Sequence, residues 1–309
     1  MRLPIISLLA LAAVTAWSPG SRAADIAGPL SHDGKTALVT GSTDGLGREL
    51  ALALAADGAH VIVHGRNAER GQAVVDEITA AGKGSARFYA ADFASMQAVR
   101  DFADTIARDF PRLDLLVNNA GIAFLGDQPR RTSADGYELQ FAVNYLAGWV
   151  LVNTLRPNLA AAAPSRVINV ASGSAHPIDF DDVMLEQPGA HARGYGQSKL
   201  AQVTMTVELA PLFAEDGITM ISLHPATLMN TTMVESLGIP PRTTVAEGRD
   251  HVMGLITRPR LEPGAFYVEG EPVAPMDAQP GDAGARARLV ALSEELTGVP
   301  VGQARLPGQ

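Results

Sequence analysis

Ala37-Leu38-Val39-Thr40-Gly41-Ser42-Thr43-Asp44-Gly45-Leu46-Gly47 is the stretch on which the fold turns. Four residues suited to a buried strand run directly into a glycine turn, and residues 48–57 then read as a helix. An aliphatic run without polar alternation fits a strand covered on both faces, as in a parallel sheet. Glycines at such a junction permit a tight turn and let the backbone approach a pyrophosphate. The phosphate charge would sit against the exposed N–H groups and positive end of the helix. The spacing here is Gly-x-x-x-Gly-x-Gly, formed by Gly41, Gly45 and Gly47. A glycine turn alone also serves as a plain strand-to-helix connection. Its position at the first junction of an alternating pattern gives it weight.

The alternation continues outward from that turn. Residues 60–64, 86–90, 113–118, 166–170 and 219–223 read as further strands, and 68–81, 96–109, 136–155, 195–215 and 285–296 as helices. Gly58, Gly82 and Gly217 stand where helix C-caps are expected. No internal repeat, linker or composition step follows residue 36, so one α/β domain over residues 24–309 is expected rather than two.

Of the 309 residues, 47% are hydrophobic and 18% charged, a balance that can bury a large core. The formal charge of -9 and the lack of any Lys/Arg block argue against nucleic acid as a partner. With no cysteine, disulfides, thiolate zinc sites and thiol nucleophiles are excluded. His176, His191 and His224 lack ligand spacing, so no metal is expected. Residues 1–23 have the order of a secretory signal: Arg2, an apolar run from Leu3 to Trp17, then Ser21-Arg22-Ala23 before a cleavage point. A membrane anchor and a misassigned start are the alternatives. Export is the expected localisation, with the cytoplasm as the alternative if the start is misassigned.

The glycine spacing, Asn118-Asn119-Ala120-Gly121 after the fourth strand and Tyr195-x-x-x-Lys199 on a helix together resemble the classical short-chain dehydrogenase/reductase family. The resemblance covers roughly residues 35–260, with the motifs in the family's order. It implies a doubly wound Rossmann-type sheet of about seven parallel strands and a nicotinamide cofactor at the strand ends. Gly41, Ser42, Thr43, Gly45, Leu46 and Gly47 would cradle the pyrophosphate. Asp92-Phe93 would flank the adenine, and Asn119, Ala120 and Gly121 would line the ribose and nicotinamide side.

The second strand ends His64-Gly65-Arg66-Asn67. No carboxylate stands there to take a ribose 2′-hydroxyl, whereas Arg66 suits a 2′-phosphate, so NADP(H) is favoured over NAD(H). One departure is Asp44, which occupies the turn position where some NADP-using members carry a base.

Tyr195 and Lys199 stand four apart and share a helical face. An adjacent ammonium would favour the phenolate and lower the tyrosine pKa from its usual ~10. The resemblance makes Tyr195 the general acid/base, Lys199 its partner and the holder of the nicotinamide ribose, Ser172 the donor to the substrate oxygen, and Asn144 the holder of a relay water. Ser174 is the competing serine. Pro225 and Thr227 resemble the turn over the nicotinamide, with Ala226 replacing the usual glycine and Asn230 or Thr231 nearby. The long insert between Ser172 and Tyr195, the sequence Gly264-Ala265-Phe266-Tyr267 and the late helix resemble the retinol-dehydrogenase-like branch. A small lipophilic carbonyl or alcohol is the implied substrate. Relatives form homodimers or homotetramers through helices equivalent to 136–155 and 195–215. A non-catalytic NADP-binding sensor and a nucleotide-sugar epimerase or dehydratase are the rival readings.

Overall fold

The computed structural model describes residues 31–124 and 129–302, so the signal-like segment, residues 1–23, lies outside the described residues. Strand β1 (Thr36–Val39) pairs in parallel with β2 (His60–Gly65) on one side and β4 (Leu115–Asn118) on the other. The sheet extends through β3 (Ser85–Ala90) at one end, and through β5 (Ser165–Val170), β6 (Ile218–His224), β7 (Phe266–Val268) and β8 (Glu271–Val273) at the other. Its order is β3-β2-β1-β4-β5-β6-β7-β8. Strands β1 to β7 are parallel, while β8 returns antiparallel to β7. The expected seven parallel strands are present, and β8 adds an antiparallel eighth at the edge. β7 and β8 are three residues each, too short to show periodicity, and Pro272 fits the edge position of β8.

Alternate residues of each strand feed two cores. Ala37, Val39, Val61, Val63, Leu115, Val117, Ile168 and Val170 meet helices α1 (Gly45–Ala56), α2 (Ala68–Ala81) and α8 (Val245–Thr257). Leu38, Ile62, Leu116, Val167 and Met220 meet α3 (Met96–Asp109), α4 (Ala147–Thr154), α6 (Gly194–Glu215) and α9 (Ala283–Thr297) on the other face. This double burial is why the strands lack polar alternation. The expected C-cap glycines all have positive φ: 98° at Gly58, 72° at Gly82 and 73° at Gly217.

The long helix expected over 136–155 forms without a break over 139–154, three residues late. Gly136 has φ +85°, and the Glu138 carboxylate accepts from the Phe141 N–H at 2.6 Å, so the helix starts late. After Leu139 and Gln140 it widens into a π turn, Phe141–Leu146, before α4 begins. Arg156–Ala161 (α5) then follows Leu155. Two helices lie where the sequence pattern placed none, α7 (Thr232–Ser236) and α8. The latter carries a capping box, Thr244 with Glu247, which was present in the sequence as Thr-x-x-Glu.

The outer faces of α4 and α6 meet this chain's own C-terminal segment. Tyr145 and Ser293 hydroxyls lie 2.6 Å apart, Trp149 Nε1 donates to Val299 O at 2.9 Å, and Arg286 pairs with Glu208 of α6 at 2.6 Å. Self-association was expected through these segments, and Tyr145, Trp149 and Glu208 on them bind α9 and the turn after it.

Candidate active site

The strand order reverses between β1 and β4, and such a switch point opens a crevice at the carboxyl ends of the strands. Thr40 closes its floor. Its hydroxyl accepts from the N–H groups of Asn119 and Ala120 at 3.0 and 2.9 Å, while Asn119 Nδ2 donates to Thr40 O at 2.9 Å. Glycine is required above this floor. A Cβ at Gly47 would collide with Gly41 O and the Asn119 amide, and one at Gly41 would lie 2.9 Å from Ala120 Cα. The resulting hollow lies at the N-terminus of α1, whose first turn carries no acidic residue. Asp44 caps that helix through Gly45 N at 2.8 Å, and Arg70 of α2 reaches Asp44 at 3.6 Å. Leu46 is buried in the core beneath the turn. The Thr43 side chain packs where a Cβ at Gly65 would be, and Thr231 lies opposite Gly45.

His64 supports the hollow from below, a role that sequence reading missed. Its Nδ1 accepts from Gly41 N–H at 3.0 Å, and its Nε2 faces Ala91 O at 3.3 Å. Burial depresses its pKa to about 4, which keeps the ring neutral. Ser42 completes the link, with its N–H donating to His64 O and its hydroxyl accepting from His64 N–H, both at 2.9 Å. Phe93 stacks on the His64 ring at a centroid distance of 4.1 Å. Asp92 is exposed and accepts from Ala94 N–H at 3.0 Å. Arg66 is exposed at the end of β2 and has no acidic partner among the described residues. The crevice thus has a glycine-shaped cradle, a helix N-terminus and a cation at its ribose edge, a set that fits a dinucleotide.

Tyr195, Lys199, Ser172 and Asn144 converge at the far wall of this crevice. Lys199 Nζ lies 5.7 Å from the Tyr195 ring centroid, and burial alone depresses its pKa to about 7. Its hydrogen bonds go to Val170 O at 2.8 Å and Gln202 Oε1 at 3.0 Å. The Tyr195 pKa is raised by desolvation, and a hydrogen bond with the Ser172 hydroxyl partly opposes this. The lowering expected from an adjacent ammonium is absent in the protein alone, since burial outweighs it and Lys199 is engaged elsewhere. Ser172 is buried and contacts the phenol, whereas Ser174 is exposed and donates its backbone N–H to Ser172 Oγ at 3.0 Å. Asn144 sits in the π turn, with Oδ1 accepting from Ile122 N–H at 2.8 Å and Nδ2 donating to Ser198 Oγ at 2.9 Å. Gly121 stands between them. A Cβ there would be 3.4 Å from Asn144 Oδ1 and 3.5 Å from Lys199 Nζ.

The segment joining Ser172 to Tyr195 is pinned from two sides by amides that sequence reading did not single out. Gln197 accepts from Asp179 N–H at 3.0 Å and donates to Val183 O at 2.9 Å. Gln279, from the tail, accepts from Ile178 N–H at 2.6 Å and donates to Ile178 O at 2.9 Å. Arg288 of α9 adds a contact to Asp181 at 3.1 Å and lies 4.7 Å from the Phe180 ring centroid. Pro225 is buried with its carbonyl 2.7 Å from His251 Nδ1. Thr227 is exposed, 3.0 Å from His224 Nε2.

The chain is similar in sequence and fold to known proteins. The short chain dehydrogenase family model matches residues 35–240. Human retinol dehydrogenase 13 is 35% identical over 250 residues, covering 78% of this chain and 74% of that protein. The mouse protein is 38% identical over 196 residues, covering 62% of this chain and 58% of its own length. A crystal structure of a protein from Mycobacterium paratuberculosis superposes with a TM-score of 0.72 at 26% identity, covering 89% of this chain and 97% of that one. A metagenomic short-chain oxidoreductase in complex with NADP gives a TM-score of 0.58 at 26% identity, covering 74% and 93%. The chain belongs to the short-chain dehydrogenase family, in its retinol-dehydrogenase-like branch, and is an NAD(P)-dependent oxidoreductase acting on CH–OH or carbonyl groups.

Proposed function

We propose that the protein uses NADP(H) to interconvert a carbonyl and an alcohol on a small, lipophilic substrate, with Tyr195 as general acid/base. The convergence of Tyr195, Ser172, Lys199 and Asn144 beside Gly121, at the edge of a glycine cradle, carries this reading. Bound NADP(H) supplies the hydride in reduction and takes it in oxidation. The Tyr195 phenol gives its proton to the oxygen that gains charge as the substrate carbon is reduced, and takes it back in the reverse direction. The Ser172 hydroxyl donates to the same oxygen and stabilises it. An ammonium at Lys199 supports the phenolate, and a pKa near neutrality lets it exchange protons without a large energetic step. Asn144 fixes the wall through Ile122 and Ser198, and with Lys199 it flanks Gly121, where a relay water would be held.

At the ribose edge the chain presents Arg66 and no acid on β2, which supports the 2′-phosphate form of the cofactor. Asp44, on the turn itself, is paired with Arg70 and so does not stand as an uncompensated repulsive charge. The test is titration with NADPH and NADH, following nicotinamide fluorescence. NADPH should bind more tightly, and Arg66→Ala should weaken NADPH about tenfold while changing NADH little. Equal effects on both cofactors would refute the preference, and no binding of either would refute the activity.

A further inference from the structure

Position 202 lies in the middle of α6 and is 1% exposed, a place where an apolar residue would serve packing as well. It holds glutamine, and a buried amide calls for partners. Its Oε1 accepts from Lys199 Nζ at 3.0 Å. The orientation is forced, because the amide nitrogen turned toward Nζ would set donor against donor. The turn carrying Gln202 is itself anchored. Thr206 Oγ1 donates to Gln202 O at 2.7 Å, Asn169 Nδ2 donates to Thr206 Oγ1 at 2.9 Å, and Asn118 Nδ2 donates to Asn169 Oδ1 at 2.8 Å. Asn118, Asn169 and Ser222 are register partners across β4, β5 and β6, so a polar row crosses the sheet beneath the site.

An ammonium has three N–H groups, and Val170 O with Gln202 Oε1 takes two of them. We propose that Gln202 is a positioning residue: together with the Val170 carbonyl it fixes Lys199 so that the third N–H faces the space between Gly121 and Asn144. That space is where a Cβ at Gly121 would come within 3.5 Å of Nζ. The proposal rests on the reading of Lys199 as the partner of Tyr195. Gln202 also helps keep the buried amine charged, since a hydrogen bond to the charged form favours it. The titratable groups facing Lys199 are Tyr195 on its own helix and His224 of β6, and no carboxylate contributes to its shift.

Gln202→Met keeps the length of the side chain and removes the acceptor. In the cofactor-free protein, the titration of the Lys199 Cε resonance, followed by 13C NMR with labelled lysine and assigned through Lys199→Arg, should move down by about one pH unit. NADPH affinity should fall severalfold, and the pH limbs of alcohol oxidation and carbonyl reduction should both move up as the phenolate loses support. A residue that only packs the helix would lower the melting temperature and leave the Lys199 titration in place, and that result would overturn the proposal. Should the Met variant fail to fold, Gln202→Asn, one methylene short of Nζ, must give the same directions. Because the lysine titration is read without cofactor, a wild-type protein that turned over no carbonyl would refute the functional reading and leave this one to be judged separately.

Discussion

The two walls of the crevice are built by different means. The cofactor wall, from Gly41 to Gly47 with Asn119 and Ala120, is made of backbone brought close by missing side chains. The opposite wall is made of side chains that project from β5 and α6 and are held by other side chains: Ser172 on Tyr195, Gln202 on Lys199, and Gln197 and Gln279 on the segment between. The glycines of the backbone wall stand in one short stretch, although its floor is closed by Asn119 and Ala120, 79 and 80 positions from Thr40. The supports of the side-chain wall range from Gln202, three positions from Lys199, to Gln279, 101 positions from Ile178. The first kind tolerates no added atom, and the second tolerates change at the supports with graded loss.

The sharpest way to break that contrast is at the phenol. Tyr195→Phe should lower kcat by about 10²–10⁴-fold while NADPH binding, read by fluorescence, stays near wild type; loss of binding together with turnover would mean the two walls are not separable. A second test addresses His64. Its pKa is depressed, so between about pH 6.5 and 4 the unfolded chain takes up a proton that the native ring refuses. Stability should therefore fall across that window by up to about 3 kcal/mol, with no contribution from this group above it. Urea unfolding of His64→Gln should show a flatter pH dependence, and parallel curves would show that the ring is not held neutral by the fold.

Gly47→Ala comes next. The added methyl meets Gly41 O and the Asn119 amide, and such overpacking costs about 2 kcal/mol. NADPH affinity should fall with it, and a variant with normal affinity and stability would show that the cradle yields. Gln279→Ala should have the smallest effect. Releasing Ile178 should raise KM for a bulky carbonyl several-fold, worth about 1 kcal/mol. NADPH binding and KM for a small carbonyl should hold steady, whereas equal changes for both substrates would indicate a general loss of structure.

The same contrast explains what the sequence made visible. Glycine spacing, the strand runs and Tyr195 with Lys199 at helical spacing are local, so pattern alone located β1, α2, α3 and most of α6 at their structural positions. His64 read only as a strand residue, because its bond to Gly41 N spans 23 positions and has no spacing rule. Gln197 and Gln279 were silent for the same reason, whereas Gln202 stands at helical spacing from Lys199 and was not singled out because a glutamine at that spacing is common on any helix. The helix expected over 136–155 is present over 139–154, but its π segment was invisible because periodicity does not distinguish an α turn from the π turn that carries Asn144. Gly136 did signal the late start, as a residue suited to positive φ.

The C-terminal helix carries a consequence for the order in which the protein is made. Arg100, Tyr137, Tyr145 and Trp149 wait for partners at Thr297, Leu296, Ser293 and Val299, which lie 148 to 197 residues later in the chain. During synthesis the cofactor wall can close once Asn119 and Ala120 have followed Thr40, 79 and 80 positions on, while the apolar outer sides of α4 and α6 stay uncovered until almost the last helix has emerged. Contacts of such long sequence separation form late and slowly, and exposed apolar surface invites association with other chains in the interval. Yield of soluble protein should therefore depend on growth temperature and on the integrity of the last turn of α9 more than on any residue that touches substrate.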